Sequence, residues 1–341
     1  MARNQGPLTS WPQYLAVRAV TMGLTSFDID RNLRTAGWIG RTLYHLDARH
    51  RKRARASIAM AYPHADDATL DLIARGSFEH FVQLAIEVLH TPRLIHRDGW
   101  AAHTQFHNLG PALKLLNARQ PMILLTGHLG NWELLGYLLA TLGYDLDAIA
   151  RPIDNPLINR WLLGIRERQG MRIITKWDAA ERMTRVLSNR GALGFIADQN
   201  AGDKGLFVPF FGRLASTYKS IGLLAMRKQV PVVCGFAHRI GPAFRFEVGV
   251  VDVIHPQDWA DRDDALYYIT ARYTRAIETM VRRRPEQYLW MHRRWKSRPR
   301  HELQGKPMPG HLRKHLEQLP WMTDAELAEL ERPIDPGTYA K

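Results

Sequence analysis

From Pro121 onward, short apolar runs alternate with stretches of helical periodicity, and this alternation limits the fold more than any other feature of the sequence. The runs PMILLT, LDAIA, MRIIT and ALGFIA are each followed by about 10–15 residues with a helical pattern. Runs that are apolar throughout are typical of strands buried on both faces. VPVVCGFAH and AFRFEVGVV add two further strands that lie next to each other in the sequence. The sequence therefore predicts an α/β fold whose mixed, mainly parallel central sheet is flanked by helices.

Three regions are predicted along the 341 residues, a length that suits one large α/β unit with attached helices. Residues 1–110 show helical periodicity and are predicted to form an N-terminal helical cap with a membrane-facing region. Residues 111–300 contain the α/β core and end in a basic segment. Residues 301–341 form a C-terminal tail, in which TDAELAEL predicts a short helix opened by a capping box of Thr323 and Glu326.

The chain is strongly basic, because 47 Lys and Arg residues face 33 Asp and Glu residues and give a net charge of +14. An anionic partner is expected, and nucleic acid, anionic lipid and an acidic carrier protein all qualify. The charge lies in separate clusters without a helix-turn-helix, zinc-finger or RNP pattern, so we expect no nucleic-acid partner. A non-catalytic membrane-binding module is a further alternative.

Cysteine and histidine usage gives no support for a disulfide or a metal site. The single cysteine, Cys234, lies in an apolar run and has no partner for an internal disulfide. His103 and His107 are four residues apart but lack an evident third ligand, so we predict no metal ion.

The segment TGHLGNWELLG places His128 and Glu133 where a predicted strand gives way to a helix. Open α/β sheets bind ligands at this carboxyl edge. Residues five apart lie about 140° apart around a helix axis, so His128 is expected in the turn and Glu133 in the first helical turn. Glu133 would then accept a hydrogen bond from one imidazole nitrogen and leave the other free as a general base for a hydroxyl. In the alternative, His128 caps the helix and Glu133 interacts with its positive end.

GHLGNWELLG resembles the His-x4-acid motif of the lysophospholipid acyltransferase-like superfamily, and its Gly-Asn-Trp-Glu interior is similar to the lipid A biosynthesis acyltransferase branch, the lauroyl and myristoyl transferases. Further blocks agree in order over roughly residues 50–300: ARPIDNPLIN, IRERQG, GFIADQN, GLFVPFFGRLAST and PEQYLWMHRRWKSRP. The resemblance implies an acyltransferase that moves a fatty acyl chain from an acyl thioester to a hydroxyl of a membrane glycolipid precursor, in lipid A biosynthesis. The alternative acceptor is another glycolipid, such as phosphatidylinositol mannoside, with acyl-CoA as donor.

Within that resemblance, His128 is the base and Glu133 orients it, and no cofactor is needed beyond the donor, acyl-acyl carrier protein or acyl-CoA. Asp198 and Gln199 follow the run ALGFIA, so they are expected at the same sheet edge, where Asp198 completes the catalytic group and Gln199 contacts substrate. The alternative for both is a helix or loop cap.

The same blocks supply candidate substrate contacts. Arg151 and Arg166 offer guanidinium donors for a phosphate or an oxyanion, although a surface ion pair is the alternative for each. The loop GLFVPFFG carries three aromatic residues that either line an acyl groove or pack in the core: Phe207, Phe210 and Phe211. The other residues predicted to contact substrate are Asn131, Trp132, Asn155, Arg293 and Arg294.

Attachment to the bilayer is expected to be peripheral, at the cytoplasmic face of the bacterial inner membrane. Many lipid A acyltransferases have an N-terminal transmembrane anchor, whereas Arg18, Asp28 and Arg31 interrupt the corresponding region here. The candidate apolar contacts are Trp11, Leu15, Val20, Met22 and Leu24. Two basic segments, residues 49–55 and 282–300, suit an anionic lipid surface or a phosphorylated headgroup.

Overall fold

The computed structural model describes residues 6–150, 152–167, 170–175 and 179–332. Within these ranges the α-helices are α1 (Pro7–Thr25), α2 (Ile29–Leu46), α3 (Ala48–Ala61), α4 (Asp67–Leu94), α5 (Gly110–Asn117), α6 (Trp132–Thr141), α7 (Pro156–Glu167), α8 (Ala179–Ser188), α9 (Ser220–Lys228), α10 (Ala265–Arg283), α11 (Arg300–Leu303), α12 (Gly310–Glu317) and α13 (Asp324–Glu331). The strands are β1 (Thr104–His107), β2 (Met122–Thr126), β3 (Leu146–Ile149), β4 (Arg172–Ile174), β5 (Ala192–Ile196), β6 (Leu206–Phe210), β7 (Arg213–Thr217), β8 (Val232–Arg239) and β9 (Phe246–Ile254).

Seven of these strands form one sheet in the order β1-β9-β8-β2-β5-β3-β4. Neighbouring strands are parallel throughout, except that β8 and β9 form an antiparallel pair. The central strand β2 is nearly excluded from solvent, as its apolar sequence requires of a strand covered on both faces. The predicted mixed, mainly parallel sheet flanked by helices is confirmed.

The region predicted to be helical up to residue 110 also contains a strand. Residues 104–107 form β1, which pairs in parallel with β9 at the edge of the sheet. The ladder is extended by the N–H of Phe246, which donates to the carbonyl oxygen of His103 at 2.8 Å. Four residues are too few to show a strand periodicity, and the pairing that stabilises them comes from a distant segment. The helical prediction is therefore wrong at this position.

The stretch GLFVPFFG, predicted as an apolar loop, forms β6 and the turn of the antiparallel hairpin β6–β7. Its two-residue turn consists of Phe211 and Gly212, both with positive φ (52° and 65°), as in a type I′ turn. The backbone N–H of Phe211 donates to the Glu278 carboxylate at 2.6 Å and helps to hold this unusual conformation. Phe210 and Phe211 are buried in the core, with Phe210 packed near Trp295. Core packing, rather than an exposed acyl groove, is therefore correct for these two side chains.

Helix α1 is attached to α7. The side-chain amide of Asn155, just before α7, donates to the carbonyl oxygen of Ser10 and to Oε1 of Gln13, both at 3.0 Å. The guanidinium of Arg18 lies 5.4 Å from the centre of the Trp161 ring. Among the described residues, no helix combines the length and the apolar content needed to cross a bilayer.

Candidate active site

His128 and Asp198 meet just beyond the carboxyl ends of β2 and β5. These strands are parallel neighbours, and Thr126 lies opposite Ile196, so the residues that follow emerge side by side. Nδ1 of His128 lies 2.7 Å from Oδ1 of Asp198. The backbone N–H of His128 donates to Oδ2 of Asp198 at 3.0 Å. One carboxylate therefore fixes both the ring and the backbone of His128.

The electrostatics of this pair suit a general base. Burial would raise the pKa of Asp198, but the charge and hydrogen bonds of His128 outweigh burial and lower that pKa to about 2. Burial would lower the pKa of His128, but the charge and hydrogen bond of Asp198, and then the charge of Glu133, raise it. Because an ionised carboxylate only accepts, Nδ1 carries the proton and Nε2 presents a lone pair. The side-chain amide nitrogen of Gln199 lies 3.4 Å from this Nε2.

Glu133 does not make the predicted hydrogen bond to His128. It forms a bidentate ion pair with Arg166 of α7, in which Nε and Nη2 donate to the carboxylate at 2.8 and 2.5 Å. The prediction is wrong because a planar guanidinium matches both carboxylate oxygens, whereas the imidazole is already held by Asp198. Glu133 acts on His128 through its charge. For Arg166, the ion-pair alternative is correct.

Two aromatic rings stand beside the His128 ring. The Trp132 ring meets it edge-on, with 5.1 Å between ring centres. The His292 ring is also 5.1 Å away and is tilted by 34°. His292 was not singled out from the sequence, although it lies in the block PEQYLWMHRRWKSRP. Its proximity to His128 depends on contacts between segments far apart in the chain.

Asn131 is the last residue of the motif loop, residues 127–131; it is fully buried, and its hydrogen-bonding groups are used within the protein. Its Oδ1 accepts the N–H of Leu134 at 2.8 Å and so caps α6. Its Nδ2 donates to Glu87 of α4 at 2.9 Å, and its backbone N–H donates to the carbonyl oxygen of Ala237 at 2.7 Å. The predicted substrate contact is therefore wrong for Asn131, which instead holds the loop in place.

The Glu87 side chain that accepts from Asn131 belongs to a buried ion pair with Arg239. Nε of Arg239 lies 2.7 Å from Oε1 of Glu87, and both side chains are almost completely excluded from solvent. The side chain of Gln287 exchanges two hydrogen bonds of 2.9 Å with the backbone of Arg239. The carbonyl oxygen of Gln287 also accepts the N–H of Gly130 at 2.9 Å. The motif loop is thus held from α4, β8 and the turn at Pro285–Gln287, a set that the sequence pattern did not reveal.

The two adjacent arginines of the basic segment have different environments. Arg294 is buried, and its Nη1 and Nη2 donate to the backbone oxygen of Ser216 and the hydroxyl of Thr217, both at 2.6 Å. The predicted substrate contact is therefore wrong for Arg294, which is fixed to β7. The side chain of Arg293 is exposed and makes no hydrogen bond or ion pair with any residue in the described ranges.

The remaining predicted residues lie in several places. Asn155 is buried and links α1 to α7, and its Oδ1 also accepts the N–H of Leu157 at 3.0 Å. The predicted substrate contact of Asn155 is therefore wrong, because the side chain is occupied at both ends. Phe207 is partly buried against the core and its backbone oxygen accepts from the Tyr267 hydroxyl. Arg151 lies outside the described residues. No group of three or more metal-ligating side chains occurs in the described ranges.

Residues 6–297 match the family model described as bacterial lipid A biosynthesis acyltransferase. The chain belongs to this family. It is therefore an acyltransferase, and the resemblance drawn from the motif blocks is confirmed.

Curated members of the family resemble the chain at low identity. Lipid A biosynthesis acyltransferase 1 of Shigella flexneri is 24% identical over 273 residues, which cover 78% of this chain and 81% of that protein. The lipid A biosynthesis myristoyltransferase of Escherichia coli (strain K12) has the same identity and coverage. The lipid A biosynthesis lauroyltransferase of that organism is 28% identical over 153 residues, 44% of this chain and 48% of that protein.

Proposed function

We propose that this acyltransferase moves a fatty acyl chain from an acyl thioester to a hydroxyl group of a lipid A precursor, with His128 as the general base. The observation that carries the proposal is the His128–Asp198 pair at the carboxyl edge of the sheet. Its buried carboxylate holds the proton on Nδ1, so that Nε2 can accept the proton of a hydroxyl. The family match and the names of the relatives support lipid A biosynthesis as the pathway.

The proposed reaction is a single displacement. The acceptor hydroxyl gives its proton to Nε2 of His128 while its oxygen forms a bond to the thioester carbonyl carbon. The carbonyl electron pair moves to oxygen and then returns as the carbon–sulfur bond breaks, and the departing thiolate takes the proton from the imidazolium. Asp198 stabilises that imidazolium. In the described ranges the ring of His128 hydrogen-bonds only Asp198 and Gln199, so no serine or cysteine is paired with it as a nucleophile.

An acidic acyl carrier protein is the proposed donor partner. The chain has a net charge of +14. On α3, the side chains of Arg49 and Lys52 are exposed and form no hydrogen bond or ion pair with the residues that the structure describes. Opposite charges on two partners accelerate their association and make it sensitive to salt. Turnover with an acyl carrier protein donor should therefore fall as the salt concentration rises, more steeply than turnover with acyl-CoA.

Peripheral attachment to the cytoplasmic face of the inner membrane is proposed from the surface of α1 and α2. Their exposed apolar side chains are Leu8, Trp11, Leu15, Val20, Met22, Trp38, Ile39, Leu43 and Leu46. Leu24, also predicted as a contact, is half-buried and packs against Leu33 and its neighbours. Because α1 is tied to α7, and α7 provides the Arg166 partner of Glu133, this surface is connected to the active site. We infer that a lipid acceptor held in a bilayer approaches His128 from this side.

Mass spectrometry of the lipid products tests the proposal. Purified protein is incubated with acyl carrier protein or coenzyme A thioesters and a panel of glycolipid precursors, beside His128→Ala. We expect the lipid A precursor to gain the mass of one acyl chain, and we expect His128→Ala to be slower by a factor of about 10² or more. Acylation of a phosphatidylinositol glycoside alone would assign a different acceptor. Near-normal turnover by His128→Ala would exclude His128 as the base.

A further inference from the structure

His292 is positioned against the active site by the same contacts that hold the motif loop. The N–H of Leu289 donates to the carbonyl oxygen of His128 at 3.0 Å, and Leu129 pairs with Tyr288 in an antiparallel bridge. The N–H of His292 in turn donates to the carbonyl oxygen of Leu289 at 3.2 Å. These backbone hydrogen bonds hold the backbone of residue 292 beside the motif loop, and the His292 ring lies 5.1 Å from that of His128.

The ring of His292 has an unused hydrogen-bonding capacity. The side chain is half-buried, and neither ring nitrogen bonds to any residue within the described ranges. By contrast, the fully buried His80, on the other side of the loop, has Nε2 3.1 Å from the carbonyl oxygen of Gly130. A partly buried donor without a protein partner, beside a catalytic base, is available to a ligand.

Most other donors around His128 are already occupied. The backbone N–H groups of His128, Gly130 and Asn131 are each bonded to a protein oxygen. Arg166 uses Nε and Nη2 on Glu133. The amide of Gln199 is directed at Nε2 of His128. Two ring donors beside the base form no hydrogen bond with the described residues: the imidazole of His292 and the indole of Trp132, each with its ring centre 5.1 Å from that of His128.

The surroundings of the two imidazoles shift their pKa values in opposite directions. Burial lowers the pKa of His292, and the positive charges of His128 and Arg53 lower it further, whereas the negative charge of Asp198 acts in the opposite direction. The pKa of His128 is raised, mainly because Asp198 outweighs burial. His292 therefore stays neutral where His128 exchanges a proton, so it can donate its N–H without competing for that proton. Such a divergence between neighbouring titratable groups is typical of residues with different catalytic roles.

We propose that His292 is a second catalytic residue, whose ring N–H donates a hydrogen bond to the thioester carbonyl oxygen as that oxygen becomes an oxyanion. This role rests on the proposed function. The proton of the acceptor hydroxyl still moves to Nε2 of His128, and the His292 proton is not transferred. As the tetrahedral intermediate collapses, the oxygen regains its double bond and the hydrogen bond to His292 weakens. The contribution is therefore largest in the transition state, so its loss should lower kcat more than it raises KM.

A matched pair of variants tests the role. His292→Gln keeps an N–H donor, and His292→Met has a side chain of similar length without one. Both are assayed with saturating donor and acceptor, beside His128→Ala, and their melting temperatures are compared with that of the wild type. An exposed histidine distant from this site in the sequence, His64, is replaced by Met as the control.

For His292→Met we expect kcat to fall by a factor of about 10²–10³, with KM within a few-fold of the wild-type value. His292→Gln should recover at least about tenfold of that loss, because it restores a donor. His64→Met should match the wild type. Equal rates for the Gln and Met variants, or a Met variant within threefold of the wild type, would overturn the proposal. If the wild type itself yields no acylated lipid, the proposed function fails, which is a separate result from a failure confined to His292.

Discussion

Replacing Asp198 with Asn tests the assignment of the orienting carboxylate. Asp198 accepts two hydrogen bonds from one residue, from Nδ1–H and from the backbone N–H of His128. An asparagine has one acceptor oxygen, so it can satisfy only one of these donors. If its oxygen faces Nδ1, its NH2 group opposes the backbone N–H of His128. If it is flipped, its NH2 group faces Nδ1, which must then lose its proton to Nε2, and the base is blocked.

Both effects have an expected size. Loss of the orienting carboxylate, with the wrong tautomer populated, should lower kcat by a factor of about 10²–10⁴. The pKa of Asp198 falls from 3.8 to about 2 on folding, which corresponds to about 2 kcal/mol of stability. Because that pKa is lowered, the stabilisation is present above pH 3.8 and is lost as the pH falls toward 2. The stability difference between wild type and Asp198→Asn should therefore shrink in acid.

The assay measures single-turnover acyl transfer and urea unfolding for Asp198→Asn, with Glu133→Gln as the matched control. Glu133→Gln removes a charge near His128 but leaves the His128–Asp198 pair intact. Because Asp198→Asn should lose a factor of about 10²–10⁴ in kcat, Glu133→Gln should be at least about tenfold more active than Asp198→Asn. The reverse order of activities would refute the reasoning and return the orienting role to Glu133. An Asp198→Asn enzyme as active as the wild type would show that the pair does not serve catalysis.

Three further predictions concern pH, the buried ion pair and the membrane. The pKa of His128 is raised and the base must be neutral, so the acid limb of the pH profile of kcat/KM should have its midpoint above pH 6.5. In Glu133→Gln this midpoint should move to lower pH, because the charge of Glu133 helps to raise the pKa of His128. An unchanged midpoint would contradict that charge effect. Burial, opposed by Arg239, raises the pKa of Glu87 to about 7, so this carboxyl group is ionised at pH 8. At that pH, Glu87→Met should lower the free energy of unfolding, measured in urea, by about 3–5 kcal/mol. Adding Arg239→Met should recover at least half of that loss, and no recovery would exclude an unpaired Arg239 charge as its cause. Replacing Trp38 and Leu46 with Ser should weaken flotation with anionic vesicles without affecting acylation of a detergent-dispersed acceptor, and unchanged flotation would exclude this surface.

Much of the fold follows from patterns that are local in the sequence. The run PMILLT is apolar at every position, which excludes a half-exposed strand and indicates a buried parallel one, as β2 is. The capping box of Thr323 and Glu326 also depends on neighbouring residues only and is present at the start of α13. The hairpin β6–β7 was missed because an aromatic residue with positive φ at its turn hides the usual Asn-Gly or Asp-Gly signal.

The positions of His128 and Asp198 at a common sheet edge could be inferred from the sequence, because both follow apolar strands and parallel strands end at the same edge. Their contact could not be inferred, because it requires β2 and β5 to be adjacent and in register, and β3 and β4 come between them in the chain. The sequence by itself supplied the base, the two candidate acids and the basic, mainly parallel α/β framework. Only the tertiary structure decided which acid touches the imidazole, because a hydrogen bond depends on ångström-scale distances between side chains that separate elements bring together. Arg166 arrives from α7 to hold Glu133, and β5 brings Asp198 to His128.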